Sequence, residues 1–567
     1  MRKLIVSALL ITAGPAALDV VQWKSAKAEE TLSRPTFSDV AAEAGIRFRH
    51  ESSHTPQKYL IGTMGAGVAW LDYDQDGFLD LFFVNGAALK DPMPKEEEPD
   101  KSDPRSWNRL YRNAGDGTFV DVTDRSNLQG KGYGMGVATG DYDNDGKPDL
   151  FVTNFGGNLL YHNEGNGAFK DTTVLAGVAG GGWSVGGVFL DYDRDGHLDL
   201  FVARYLDWDF DNNPWCGPQV VKKRGYCHPN TFQAVTHLLY HNQGDGTFAE
   251  VSKQAGIAAH PGKGLGVAFN DYNQDGWPDI LVANDSVAQQ LYHNNGDGTF
   301  NEVALEVGLA YNSDGRAFAG MGVDFEDYTN DGWPDVFLNA LSLEGYVLFK
   351  NVQGDLEDTS DQAGISGISM PYSGWGTKFI DYDNDGWKDL FVAQGHVLDT
   401  VSIDSPQISY LQPLLMMRNV KARFEDVSNH SGAVFEVSRA ARGAAFGDFD
   451  NDGFVDVVVN INDGQPLLLH NHGGEGNWIL IKTVGSASNR DGIGARVRVV
   501  GESGLTQYRA VSTAASYLSA SDKRVHFGLG KDRGLKVIEI TWPSGIVQRL
   551  EDVEANQILI VEEPSKE

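Results

Sequence analysis

DYDQDGFLD begins at Asp72, and six near-copies follow: DYDNDGKPD at Asp141, DYDRDGHLD at Asp191, DYNQDGWPD at Asp271, DYTNDGWPD at Asp327, DYDNDGWKD at Asp381 and DFDNDGFVD at Asp448. The spacing has a physical reason. Alternate residues of a tight loop point inward, so positions 1, 3 and 5 aim oxygens at one centre. Glycine at position 6 permits the turn, position 7 offers a carbonyl and position 9 closes the shell. Loop by loop the expected ligands are Asp72, Asp74, Asp76 and Asp80; Asp141, Asp143, Asp145 and Asp149; Asp191, Asp193, Asp195 and Asp199. They continue with Asp271, Asn273, Asp275 and Asp279; Asp327, Thr329, Asp331 and Asp335; Asp381, Asp383, Asp385 and Asp389; and Asp448, Asp450, Asp452 and Asp456. Hard oxygen donors in that number favour Ca²⁺ over Mg²⁺, with up to seven ions expected. Asn273 and Thr329 each remove a carboxylate, so the fourth and fifth loops should bind more weakly.

An EF-hand needs Glu at position 12 and flanking helices. Position 12 is instead Phe83, Val152, Val202, Val282, Leu338, Val392 and Val459, inside short apolar runs that read as buried strands. A strand also precedes each loop, with glycine five residues ahead: Gly67, Gly136, Gly186, Gly266, Gly322, Gly376 and Gly443. Between loops a second unit recurs, as in LYRNAGDGTFVDVT and LYHNNGDGTFNEVA, which reads as strand, turn, strand. The half-copy TFSDVAAEAGI near the start completes the set. Four strands per repeat and seven repeats predict an all-β fold: a seven-bladed β-propeller over 36–472, which hides its sheet edges by radial closure. WILIK, ARVRVV, RVHFGLG, VIEITW and QILIVEE then predict a small β-sandwich-like C-terminal domain over 477–563.

Composition supports export and excludes some partners. A net charge of −32 argues against nucleic acid, which needs a basic surface. The loops hold 26 of the 78 acidic residues, so the charge is concentrated where cations would sit. Arg2, Lys3 and the apolar run Leu4–Ala17 read as a signal peptide over 1–28, cleaved after Ala26-Lys27-Ala28 or after Pro15-Ala16-Ala17. No later segment is apolar enough to span a membrane, so a secreted or periplasmic protein is expected. Two nearby cysteines in an exported chain, Cys216 and Cys227, favour a local disulfide. Two thiolates and His228 fall a ligand short of a structural zinc site.

The repeats resemble the FG-GAP/VCBS type of integrin α subunits and many exported bacterial proteins. NRDGIGARVRV, KRVHFGLG, ITWPSGIVQRL and NQILIVEE resemble the ASPIC/UnbV domain of the cartilage acidic protein family. The insertion ending YCHP is similar to that family's paired-cysteine segment. The resemblance implies Ca²⁺ in the loops and a secreted interaction protein, and it supplies no substrate.

Two motifs imitate catalytic ones. HESSH at His50 matches HExxH, but Ser52-Ser53 and Thr55-Pro56 oppose the helix that would put both imidazoles on one face. GWSVG at Gly182 matches a nucleophile elbow, yet Ser184 aligns with strand positions of other repeats. No catalytic residue is assigned. Counting roughly seven residues upstream of the loops gives a basic and aromatic set, which includes Lys131, Tyr133, Trp183, Lys263 and Arg442. Downstream ends add Arg204, Asp285 and His396. On the face opposite the loops these are expected to bind an anionic or sugar-like ligand, with stacking from Trp183 and Tyr133. The favoured function is recognition of a protein or glycan. The alternative is a lyase or hydrolase using His396 with Asp285.

Overall fold

The computed structural model describes residues 35–94, 97–217 and 222–565. The expected signal peptide lies outside them. Within the described residues the chain is all-β apart from short helical turns, and no helix is long and apolar enough to cross a membrane.

The second repeat serves for the others. Tyr133–Gly140 runs into the loop, Asp149–Phe155 leaves it, and Leu159–Asn163 and Phe169–Asp171 follow as consecutive antiparallel strands. Position 9 of each loop is the first residue of the second strand, so the loop is a hairpin connection whose last ligand is anchored in the sheet. Each of the other repeats forms the same four-strand order. The last sheet takes its outer strand from the chain start: Phe37–Asp39 pairs with Leu467–Asn471, Phe37 opposite Asn471. First strands pack against first strands around the molecule, and Val68–Leu71 of the first sheet meets Ala441–Gly447 of the last. The sheets therefore form a closed ring.

The repeated glycine five residues before the loop is explained by that ring. A Cβ at Gly186 would lie 2.5 Å from the Leu265 carbonyl oxygen, and one at Gly322 would lie 1.8 Å from the Trp375 carbonyl oxygen. Neighbouring inner strands approach backbone to backbone, and no side chain fits between them. Most first strands carry a bulge that brackets this glycine, as between Gly134 and Val137 or Ser184 and Gly187.

The tail has two sheets. Asn477–Val484 lies between Val525–Gly530 and Gln557–Glu562, the latter parallel to it. Arg496–Gly501, Thr506–Ala510, Gly534–Thr541 and Val547–Glu554 form the other. Ile479, Ile481, Val497, Phe527, Ile538 and Ile540 are fully buried between them. The tail sits on the loop side of the ring. Arg524 donates to Asn451 Oδ1 and to the Asp448 carbonyl, both at 2.7 Å, and Arg490 N donates to Asn144 Oδ1 at 2.8 Å.

From this tail, residues 513–521 thread into the channel at the ring's centre. Val137 N donates to the Leu518 carbonyl, Val323 pairs with Ser516, and Trp70 N donates to the Ala520 carbonyl. At the tip, Tyr517 packs edge-on against Trp375 and donates its hydroxyl to the Met64 carbonyl at 2.7 Å. The first strands thus satisfy inward-facing backbone groups with the tail's backbone, which replaces water along the axis.

Candidate functional site

The same hydrogen bonds hold each Asp-rich loop. The backbone N–H of position 2 donates to one oxygen of the position-9 carboxylate at 3.0–3.3 Å. Its other oxygen accepts from the N–H of an asparagine near the end of the third strand at 2.7–2.8 Å. Position 6 donates its N–H to the position-1 carboxylate at 2.7–3.2 Å. That glycine has φ near +90°, from Gly77 at 91° to Gly453 at 89°. In the first two loops the carboxylate oxygens of positions 1, 3 and 9 lie within 4.8 Å of one another.

These donors fit a divalent cation. Asp191 is 5% exposed and Asp383 is 2% exposed, yet Oδ1 of each has no hydrogen-bond partner. Buried carboxylate oxygens are costly to leave unmet, and a cation at the loop centre meets both. The electrostatics agree. Burial raises the Asp80, Asp141 and Asp191 carboxyls to about 8, and burial raises Asp199 to about 7 against its hydrogen bond from His241.

Three features here escaped the sequence reading, although each is written in the LYHN-type repeat or the loop. The asparagine of the third strand also donates its side-chain amide to the position-2 carbonyl of the preceding loop, as Asn163 does to Tyr73 at 2.9 Å. Asn113 closes the circle onto Phe449 at 2.9 Å. Position 4 has φ between 55° and 62° and reaches forward, so that Asn144 donates to the Gly196 carbonyl at 2.8 Å and Asn451 to that of Gly77 at 3.1 Å. Finally, the residue before the asparagine places a basic group on the loop carboxylates. Arg112 meets Asp74 and Asp76, Arg418 meets Asp383 and Asp385, and Lys350 meets Asp331. His162, His241, His293 and His470 occupy the same place in the remaining loops.

The opposite face corrects the sequence reading. Tyr133 and Trp183 are fully buried: the Tyr133 hydroxyl donates to the Ser52 carbonyl, and Trp183 packs against Tyr205 and Trp208. Neither can stack on a ligand. Arg442 is fully buried beneath the face, 4.1 Å over the Trp375 ring, with Nε donating to the Thr63 carbonyl. Lys263 is 5% exposed and its amine donates to Pro229 O and Asn230 Oδ1. Lys131 is exposed and paired with Asp171, and Arg204 lies against Gly182. No basic surface cluster results. Counting along the strands passed over the bulges beside Tyr133, Trp183, Lys263 and Arg442, and over the inserted residues Pro229 and Asn230 that hold the Lys263 amine. The two imitations of catalytic motifs stay structural: His50 is buried in extended chain, and Ser184 is a buried strand residue.

Of that predicted set, Asp285 and His396 are brought to one cavity. Both line a cavity of about 320 Å³ with Tyr205, Tyr226, Trp375 and Leu398. Its walls come from the insertion closed by the Cys216–Cys227 disulfide, from residues 397–408 and from residues 341–344. No hydrogen bond joins the two residues. Asp285 accepts from the Tyr205 hydroxyl at 2.5 Å and the Ser286 hydroxyl at 2.8 Å, whereas His396 Nδ1 accepts from Leu398 N at 3.0 Å. Burial, with Arg442 nearby, lowers His396 to about 4, so its imidazole is neutral at physiological pH.

Residues 485–567 match the family described as ASPIC and UnbV. Segments 102–152, 141–202, 236–282, 271–338 and 327–392 match the FG-GAP-like repeat. The chain is 26% identical over 336 residues to cartilage acidic protein 1 of Homo sapiens, covering 56% of this chain and 47% of that protein. Its Xenopus tropicalis counterpart is 26% identical over 330 residues, with 56% and 48% covered. The chain thus spans about half the length of the curated relatives it matches. Among solved structures, an Agrocybe aegerita lectin described as recognising non-reducing terminal N-acetylglucosamine aligns at TM-score 0.39 and 16% identity. That alignment covers 71% of this chain and 87% of the lectin. YCF48 bound to D1 peptide aligns at TM-score 0.39 and 8% identity, with 72% and 93% covered. The tail and the repeats are therefore those recognised in the sequence.

Proposed function

We propose that this chain, which carries FG-GAP-like repeats and ends in an ASPIC and UnbV domain, is an exported recognition module built on a calcium-loaded seven-bladed β-propeller. Residues 1–28 act as its signal peptide, 36–472 as the propeller and 477–563 as a sandwich-like cap. Up to seven Ca²⁺ ions hold the loops, and their role is structural. Each ion neutralises crowded carboxylates beside the contacts that tie one blade to the next. The disulfide and the repeat type fit an extracellular or periplasmic setting.

The observation that carries the reading is which face is left open. The cap covers the loop face and fills the channel, and the insertions on the opposite face leave large apolar side chains in water: Trp215 at 43%, Leu343 at 55% and Leu411 at 48% exposure. Apolar surface of this kind, beside a cavity, suits a protein or glycan partner. The test is binding of the calcium-loaded protein to arrayed glycans and matrix proteins. Leu343→Arg with Leu411→Arg should abolish any signal that Val547→Arg on the cap leaves intact. Equal effects of the two changes would contradict the reading.

A second reading has one observation in its favour: Asp285 and a neutral His396 share the cavity. A lyase or hydrolase would use that imidazole as base. Turnover of an arrayed glycan that His396→Gln abolishes would favour it.

A further inference from the structure

The sequence reading expected an anionic or sugar-like ligand on the open face, and the cavity is lined by acid instead. Asp285, Glu344 and Asp404 line it together with His228 and His396, and among the described residues no lysine or arginine does. Nearby cations are engaged elsewhere. The Lys263 amine is held by Pro229 O and Asn230 Oδ1, Lys58 pairs with Asp399 at 2.6 Å, and Arg442 is bound to backbone carbonyls and the Trp375 ring. Burial raises the Asp285 carboxyl above its ordinary value, and the Tyr205 and Ser286 hydroxyls, with His228 and Lys263 acting through space, oppose that rise.

Asp285 is set there by backbone distortion. Its strand, Asp279–Val287, shifts register between Asp285 and Val287 against Phe318–Ala319, and Ser286 has φ 61°. Bulges of this kind re-aim a side chain and recur beside binding sites. A non-glycine residue in the left-handed region is strained, and its surroundings must offset that strain. The carboxylate so placed is 7% exposed and accepts two hydroxyl hydrogen bonds, although a carboxylate offers about four acceptor positions. Around it, Tyr205, Tyr226 and Trp375 form an aromatic wall; Arg442 already stands over the Trp375 ring and Lys58 over the Tyr226 ring, as rings of this kind attract cations.

From this geometry we propose that the cavity binds a small organic cation, an ammonium group on an apolar body, with Asp285 as its counter-charge. The proposal rests on the recognition reading of the open face and adds to its protein or glycan partner a small-molecule ligand in the cavity. A volume of about 320 Å³ is at the small end of ligand pockets, so the body is one ring or a short chain rather than a polymer. The neutral His396 adds no repulsion.

Isothermal titration of the calcium-loaded protein with phenethylamine and with phenylacetate separates the charges on one ring. Phenethylamine is expected to bind at least tenfold more tightly. Asp285→Asn should erase that preference, and Leu398→Trp, which fills the cavity from its other wall, should abolish binding if Asp285→Asn fails to fold. Preference for phenylacetate, no heat with either compound, or phenethylamine binding that survives Leu398→Trp would overturn the proposal. Should that happen while the loops keep their calcium and the open face its arrayed partner, this inference falls alone.

Discussion

The position-9 aspartate shows how one residue serves the fold and, on the proposed calcium reading, would serve a metal as well. Asp199 is fully buried, accepts the N–H groups of Tyr192 and Asn242, and supplies an oxygen to the loop centre. Asp199→Ala leaves two buried backbone donors unmet, a loss of roughly 2–5 kcal/mol. It should also remove one bound ion, and denaturant unfolding with metal analysis checks both. His237 makes a pH prediction. Burial holds it at about 4 in the fold, with Nδ1 accepting from Arg204 N and Nε2 against Gln290 Oε1. An unfolded histidine titrates near 6.5, so this contribution is complete above pH 6.5 and is lost as pH falls towards 4. Between those values the wild type should lose about 1.4 kcal/mol per pH unit more than His237→Gln. Parallel curves would show that His237 is protonated in the fold.

At the scale of elements, the loops and their flanking strands were legible because the repeat fixes glycine, ligand and apolar run at constant offsets. DYDRDGHLD followed by an apolar run has one reading, a hairpin that ends in a buried strand. The tail was legible in part: ARVRVV and QILIVEE alternate or run apolar, whereas Thr506–Ala510 and Val547–Glu554 alternate with so many polar and charged residues that no strand was assigned. The channel segment could not be read at all. STAASYLSAS has no period, and its Ala515, Ser516 and Leu518 adopt positive φ because the ring supplies their partners. The open face was misread for a similar reason, since a bulge shifts which residues point outward and leaves no mark in composition. Two substitutions test this packing. Gly322→Ala forces a Cβ onto the Trp375 carbonyl and should lower the melting temperature sharply, whereas Gly315→Ala, at an exposed turn with φ +70° and open space, should cost far less. Tyr517→Ala removes a buried ring and its hydroxyl bond, a loss of about 3–5 kcal/mol.

For the whole molecule, the ring closes three ways: by the strand from the chain start, by asparagine and position-4 contacts between neighbouring loops, and by the tail along the axis. The second of these runs through the loops that concentrate the acid. A chain carrying −32 charges holds its inter-sheet contacts beside its most crowded carboxylates, so cation occupancy and ring closure are coupled. Arg112, Lys350 and Arg418 supply part of that charge permanently. On the proposed reading, calcium would therefore act on the molecule as a whole. The most direct measurement is calcium content per chain and melting temperature of the mature protein before and after chelation. The account predicts close to seven ions and a large fall in melting temperature once they are removed. Few ions, or an unchanged melt in chelator, would contradict it and leave the loops as turns held by hydrogen bonds alone.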